Sequence, residues 1–205
     1  GKTPAASGPN VMDIDFDALI ANETDSTLKD MHEYFRDRTP TEKNQYTGMF
    51  QGKNLLLFTG EAFWIGAVNE QYTPTLYKLA HCGFVFENSY NPLWYYSTVD
   101  GEYAATTGLI PTNQVNASQR YAGKNGVSMY FSMGNQLRAL GYPTLAYHNN
   151  TANYYDRNLS HPNLGYEFYA CDTGLDVAMT WPQSDLEMMQ LTLPQALAGE
   201  KPFHN

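Results

Sequence analysis

The apolar positions of this chain fall into two alternating kinds of pattern. Residues 13–38 carry Ile14, Phe16, Leu19 and Ile20, then Leu28, Met31, Tyr34 and Phe35, and the second set falls at helical spacing. Asp25, Ser26 or Thr27 is placed to cap that helix, and the Thr39-Pro40 step should end it. Residues 41–52 are polar and turn-rich. Asn54-Leu-Leu-Leu-Phe-Thr59 then reads as a buried strand, a short apolar run with little alternation. A helix should start at Thr73-Pro74, run through Leu76, Tyr77, Leu79 and Ala80, and stop at Gly83. Phe84 to Tyr90 alternates like a second strand. Residues 98–108 read as a helix, 113–127 as an exposed loop rich in Asn, Gln, Ser and Gly, and Ser128 to Leu140 as a helix ending at Gly141. Pro143 to His148 and Glu167 to Ala170 read as third and fourth strands. Ser184 should cap a last helix whose tail Pro194 interrupts, and Lys201-Pro-Phe-His looks like the entrance to another strand.

Strands that alternate with helices predict an α/β fold, a mostly parallel sheet with helices on both faces. Ligands of such sheets gather beyond the carboxyl ends of strands. That rule singles out the residues after Phe58, after Tyr90 and after Tyr147. By segments, 1–12 reads as linker or leftover sequence, 13–52 as a helical lead-in, and 53–205 as the α/β region.

Composition changes this picture in three ways. A chain of 205 residues can bury a good core, and its 14% aromatic content is not that of a disordered polymer. A formal net charge of −9 argues against nucleic acid and anionic membrane surfaces as partners. An acidic chain that handles phosphate must then supply local positive charge from a metal or a few placed Arg and His residues. Cys82 and Cys171 could form one disulfide or stay as two buried thiols, and no metal-type Cys spacing occurs. No apolar run is long enough to cross a bilayer, and no leader-like N-terminus is present.

Each singled-out strand end carries chemistry. Thr59-Gly60-Glu61 places a carboxylate beside a Gly that allows close approach, which suits a hard-cation ligand or a partner of a helix dipole. Ser97-Thr98 opens a helix, where a hydroxyl is either a cap or a nucleophile favoured by the helix N-terminus. His148, Asn149 and Asn150, followed by Tyr154, Tyr155, Asp156 and Arg157, could clamp a phosphate or form a surface loop with a stacked Arg. Asp100 and Glu102 lie in the first turn after Thr98 and read as helix-dipole partners. No Walker-type phosphate loop and no G-x-S-x-G elbow is present.

Taken in order, several runs resemble the lipoteichoic acid synthase-like branch of the alkaline phosphatase and sulfatase superfamily. They are Pro40 to Phe63, Tyr72-Thr-Pro-Thr-Leu-Tyr-Lys-Leu79, Gly83 to Tyr90, Ser97-Thr-Val-Asp-Gly-Glu-Tyr103 with Gly108-Leu-Ile-Pro111, and Leu140-Gly-Tyr142 with His148, Tyr155, Arg157 and Leu164 to Tyr169. The resemblance implies the N-terminal half of an extracellular catalytic domain. Its fold would be alkaline phosphatase-like, truncated before its C-terminal strands. The implied activity is a metal-dependent transfer of phosphoglycerol or a related headgroup for cell-envelope polymers. Thr98 would be the nucleophile, forming a covalent phospho-threonine, and Glu61 and Thr98 would bind a divalent cation, Mn2+ or Mg2+. His148, Arg157, Tyr155 and Asn150 would contact substrate. Implied partners are a lipid phospho-headgroup donor and a glycerol phosphate or glycolipid acceptor, at the outer face of a bacterial membrane to which the parent protein is anchored.

The sequence departs from the family's pattern in places. Asn150 stands where such enzymes often carry Asp, and Tyr155 where they often carry Trp, which bears on headgroup and acceptor identity. No Asp-His dipeptide, the pair that completes the family's metal site, occurs up to Asn205. The resemblance therefore implies an incomplete metal site and no turnover by these 205 residues alone. Sulfatase chemistry needs a C/S-x-P-x-R run, and Ser97-Thr98-Val-Asp-Gly101 lacks both the Pro and the Arg. The rival readings are a degenerate relative that binds glycerol phosphate polymers without catalysis and, behind it, a sulfatase- or phosphodiesterase-type hydrolase.

Overall fold

Local caps decide where most helices begin. The computed structural model describes residues 7–60, 63–90, 97–127 and 129–205, and the chain divides after Gly52 into two units. In the first, Asp15 accepts from the Ala18 amide at the start of α1 (Phe16–Asn22). Asp25 accepts from the Thr27 and Leu28 amides at the start of α2 (Ser26–Arg36). Such caps satisfy amides that the helix itself leaves without a partner. The two helices pack on each other, and an antiparallel bridge joins Pro9 to Glu42.

The second unit is built on parallel pairing. Strand β1 (Leu145–His148) pairs in parallel with β2 (Glu167–Ala170), with Leu145 opposite Glu167 and His148 opposite Ala170. Phe203 and His204 extend the arrangement. His204 bridges in parallel to Thr144 on one side and to Leu55 on the other, where Leu55 N–H donates to Phe203 O at 2.9 Å and Asn205 N–H to Leu55 O at 3.0 Å. His204 and Phe203 are fully buried in the middle of this run. Among the described residues of this unit every strand pairing is parallel, as alternation of strands and helices requires.

Around it stand α3 (Pro74–Cys82), α4 (Ser97–Thr107), α5 (Val115–Asn125), α6 (Met133–Ala139), α7 (Arg157–Asn163) and α8 (Asp185–Ala198). Ser184 caps α8 by accepting from the Glu187 amide. Ser132 caps α6 and also donates to Leu164 O at 2.9 Å. The core collects Val99, Val115, Ala122, Leu164, Tyr166 and Ala170.

Five expectations from sequence do not hold. Residues 113–127 are not an exposed loop but contain α5, whose Val115, Gln119 and Ala122 are buried. Those three positions fall one helical turn apart, and the polar residues between them face outward, so composition masked periodicity. The run at 54–59 pairs through Leu55 but is not buried, since Leu55, Leu56, Leu57 and Phe58 are all exposed. Phe84–Tyr90 forms no strand; alternation only makes a strand where an edge is there to pair with, and among the described residues none pairs with this run. The helix expected from Ser128 to Leu140 starts later, at Met133, because Ser132 caps it. Pro194 does not interrupt α8, which runs through it to Ala198 with Thr192 and Ala196 buried on either side. Both cysteines are free, Cys82 exposed and Cys171 half-buried.

Candidate active site

The carboxyl end of β1, the second turn of α4 and the start of α7 meet at one arginine. Arg157, the first residue of α7, is buried, with a side chain only 4% exposed. Its Nε donates to Glu102 Oε1 at 3.0 Å and Oε2 at 3.2 Å, and Nη2 also donates to Oε1. Its Nη1 donates to Tyr154 O at 3.2 Å and lies 3.3 Å from His148 Nε2. The rings of Tyr154 and Tyr155 stand over the guanidinium, with centroids 5.7 and 5.4 Å from its carbon. A cation so placed gains from both π faces.

The turn that delivers Arg157 adopts backbone angles that L-residues avoid. Tyr155 has φ 57° and Asp156 φ 55°, both in the left-handed region. Asp156 is held from α5 by Arg120, whose Nε donates to Oδ2 at 2.8 Å. Glu102 on α4 and Arg120 on α5 therefore grip the same short turn from two helices.

His148 ends β1. Because a guanidinium has no acceptor, the Arg157 contact requires Nε2 of His148 to accept, which puts the proton of the neutral ring on Nδ1. That Nδ1 is buried without a hydrogen bond of ordinary geometry, with only a weak approach to the Thr151 backbone. Burial first, and then the Arg157 charge, holds the His148 pKa down to about 4. His161, further along α7, is held down to about 3 by the same two causes in the same order. At neutral pH both rings are neutral, and the positive charge of the cluster is Arg157, matched by Glu102.

Thr98 lies one helical turn before Glu102 on α4, so the two share a face of that helix. Thr98 is half-buried, and Val99 and Asp100 beside it are fully buried. Asn150 turns its side chain back on the chain, where Oδ1 accepts from the Thr151 amide at 2.7 Å. Asn149 donates to Asp185 at 2.9 Å. Of the residues singled out from sequence, the structure brings His148, Arg157 and Tyr155 together and places Asn150 in a local turn. Glu61 lies outside the described residues.

Sequence reasoning missed Glu102, which read as a helix-dipole partner and is in fact the partner of Arg157. The usable signal was its spacing: one turn from Thr98, it faces wherever Thr98 faces. Asp100 was read the same way and proves to be fully buried. A cavity lined by Tyr103, Ile110, Val115, Gln119 and Met129 lies elsewhere on α4, apart from this cluster.

A divalent cation was expected at Glu61 and Thr98. Among the described residues no group of three His, Cys, Asp or Glu side chains is placed to hold a metal ion. Glu102 is committed to Arg157, and one hydroxyl falls far short of the six or so oxygens a hard cation takes. The described donors do not by themselves fit a cation.

A family model described as Sulfatase matches residues 53–200, most of the chain. The chain belongs to the sulfatase family. Within that family its fold is matched by the crystal structure of the lipoteichoic acid synthase LtaP from Listeria monocytogenes, with a TM-score of 0.64 at 21% sequence identity. The match covers 92% of this chain and 44% of that one, so the sulfatase-family chain spans less than half the length of its structural relative. At that identity the likeness establishes the α/β fold, in agreement with the resemblance read from the motifs. No curated protein matches. No described helix is long and apolar enough to cross a membrane.

Proposed function

We propose that this chain is part of a phospho-headgroup transferase, moving phosphoglycerol or a related group from a lipid donor to a glycerol phosphate or glycolipid acceptor at the outer face of a bacterial membrane. In the first step Thr98 Oγ1 bonds to the phosphorus and the bond from phosphorus to the lipid alcohol breaks. The proton that Thr98 gives up ends on that departing oxygen. In the second step an acceptor hydroxyl attacks the phosphorus, the bond to Oγ1 breaks, and Thr98 regains a proton.

One arrangement carries the reading. Thr98 and Glu102 share a face of α4, and Glu102 holds Arg157 against His148 at the end of a parallel strand. A hydroxyl in the first turn of a helix, one turn before the carboxylate that holds a buried guanidinium, suits attack on a phosphate: the helix end favours its charge. A divalent cation, Mn2+ or Mg2+, belongs to the reading through Glu61 and Thr98. Thr98 apart, what the chain's own described residues do is bind and orient.

Replacing Thr98 by Ala in the full-length protein tests the reading. Loss of headgroup transfer is expected, and transfer at an undiminished rate would sink the nucleophile assignment. A second reading, a non-catalytic relative that binds glycerol phosphate polymers, draws on the part-exposed Tyr154 and Tyr155 rings stacked on Arg157. It predicts polymer binding that needs no metal and survives loss of Glu61. A hydrolase, the third reading, would release the headgroup to water instead of lengthening an acceptor.

A further inference from the structure

The two edges of the Arg157 guanidinium are held unequally. Glu102 takes the Nε–Nη2 edge with a two-point, charge-assisted grip at 3.0 and 3.2 Å from Nε, to which Nη2 adds its own bond. In that grip both partners are ionised, so attraction between two whole charges adds to the hydrogen bonds. The Nη1 edge makes two contacts at 3.2 and 3.3 Å, to a neutral carbonyl and a neutral imidazole nitrogen. Both are at or beyond the long end of the hydrogen-bond range. An anion that arrives will displace the weaker pair and leave the stronger one in place. Tyr154 and Tyr155, both part exposed, stack on the guanidinium beside that edge.

Charge narrows the ligand further. Arg157 is the cation of this cluster, and Glu102 already neutralises it at short range. Arg120, the next arginine along, is likewise matched by Asp156. Among the described residues, an anion at the Nη1 edge thus meets no surplus positive charge of the protein's own, with a carboxylate on the far side of the same guanidinium. Such a site tolerates one negative charge far better than two.

Resting on the reading of this cluster as a phosphate site, we infer that Glu102 is a positioning and specificity-determining residue: it locks one edge of Arg157 and thereby selects a phosphodiester monoanion over a phosphomonoester dianion. Glu102 need not touch substrate to do so. It fixes which edge is presented and sets the charge that edge carries.

Calorimetry on this chain with two probes tests the inference, glycerophosphoglycerol as the diester and sn-glycerol 1-phosphate as the monoester. Wild type should bind the diester more tightly. Glu102→Gln keeps the shape and one hydrogen bond but removes the charge. It should lower the ratio of monoester Kd to diester Kd by about tenfold, the worth of one charge roughly 10 Å away near a protein surface. Glu102→Asp, which restores the charge, should restore the ratio. A merely structural role would weaken both probes alike and leave the ratio unchanged, and that result would overturn the inference. So would a wild-type chain that binds neither probe. Both readouts are equilibrium affinities and need no turnover, so they stand or fall separately from transfer by Thr98 in the full-length protein.

Discussion

Gly123 lies where α5 packs against Leu159 of α7, and adding one methyl group there should disturb the site from a distance. A Cβ at Gly123 would lie 2.4 Å from Leu159 O and 2.8 Å from Leu159 C, where ordinary contact begins at 3.4 Å. The obstacle is backbone, which cannot rotate away, so α7 must retreat by about 1 Å. Overpacking of this kind costs about 1–3 kcal/mol. Against it stands the helix preference of Ala over Gly, about 1 kcal/mol. Because the clash is with a carbonyl, the upper part of the cost range applies, and Gly123→Ala should lose about 1–2 kcal/mol net. Urea unfolding followed by circular dichroism reads this as a lower midpoint at unchanged slope. Since α7 begins with Arg157, the same variant should also weaken binding of glycerophosphoglycerol. Gly126→Ala is the control: nothing stands within 4 Å, and its cost comes only from a φ of +62°. It should lose about 1 kcal/mol while leaving the ligand affinity unchanged. A Gly123→Ala chain more stable than wild type would show propensity acting unopposed and refute the packing argument.

Other consequences can be checked on the same chain. Acid should destabilise it: His148 and His161 have folded pKa values of about 4 and about 3 against an ordinary 6.5, so below pH 6.5 the unfolded state binds more protons. Stability should then be complete above pH 6.5 and fall by a few kcal/mol as pH drops toward about 3, with the less shifted His148 contributing less than His161. Urea midpoints that do not move between pH 7 and pH 5 would contradict this. Ser132→Ala should cost about 1–3 kcal/mol, because the fully buried hydroxyl both caps α6 and donates to Leu164 O; a loss below a few tenths would mean that neither bond matters. Asp156→Asn should change stability by no more than about 1 kcal/mol, since Arg120 is nearly half exposed and Asn tolerates the left-handed backbone.

What could be read from sequence is what is encoded locally. The Thr73-Pro74 start and Gly83 stop of α3, the cap at Ser184 and the span of β2 each depend on a few neighbouring residues, and the structure has them as expected; for α2 it takes Asp25 from the three candidate caps Asp25, Ser26 and Thr27. Elements that depend on distant partners were legible only in part. Leu55 to Phe58 looked like a core strand by composition, yet its burial depends on what packs over it. Helix α5 was hidden because three buried positions among polar neighbours do not look apolar on average. The site divides in the same way. His148 and Arg157 stood out because strand ends collect ligands. The pairing of Arg157 with Glu102 joins residues far apart in the chain, and no local pattern announces it.

The account's central claim is that Thr98 carries the transferred group, and a trapped intermediate tests it most directly. The full-length protein would be mixed with a glycerophospholipid donor and no acceptor, quenched with acid, digested, and analysed by peptide mass spectrometry. The account predicts a phosphoglycerol adduct on Thr98 that disappears in Thr98→Ala and is discharged when acceptor is added. An adduct on another residue, or steady transfer with Thr98 unmodified at every time point, would contradict it.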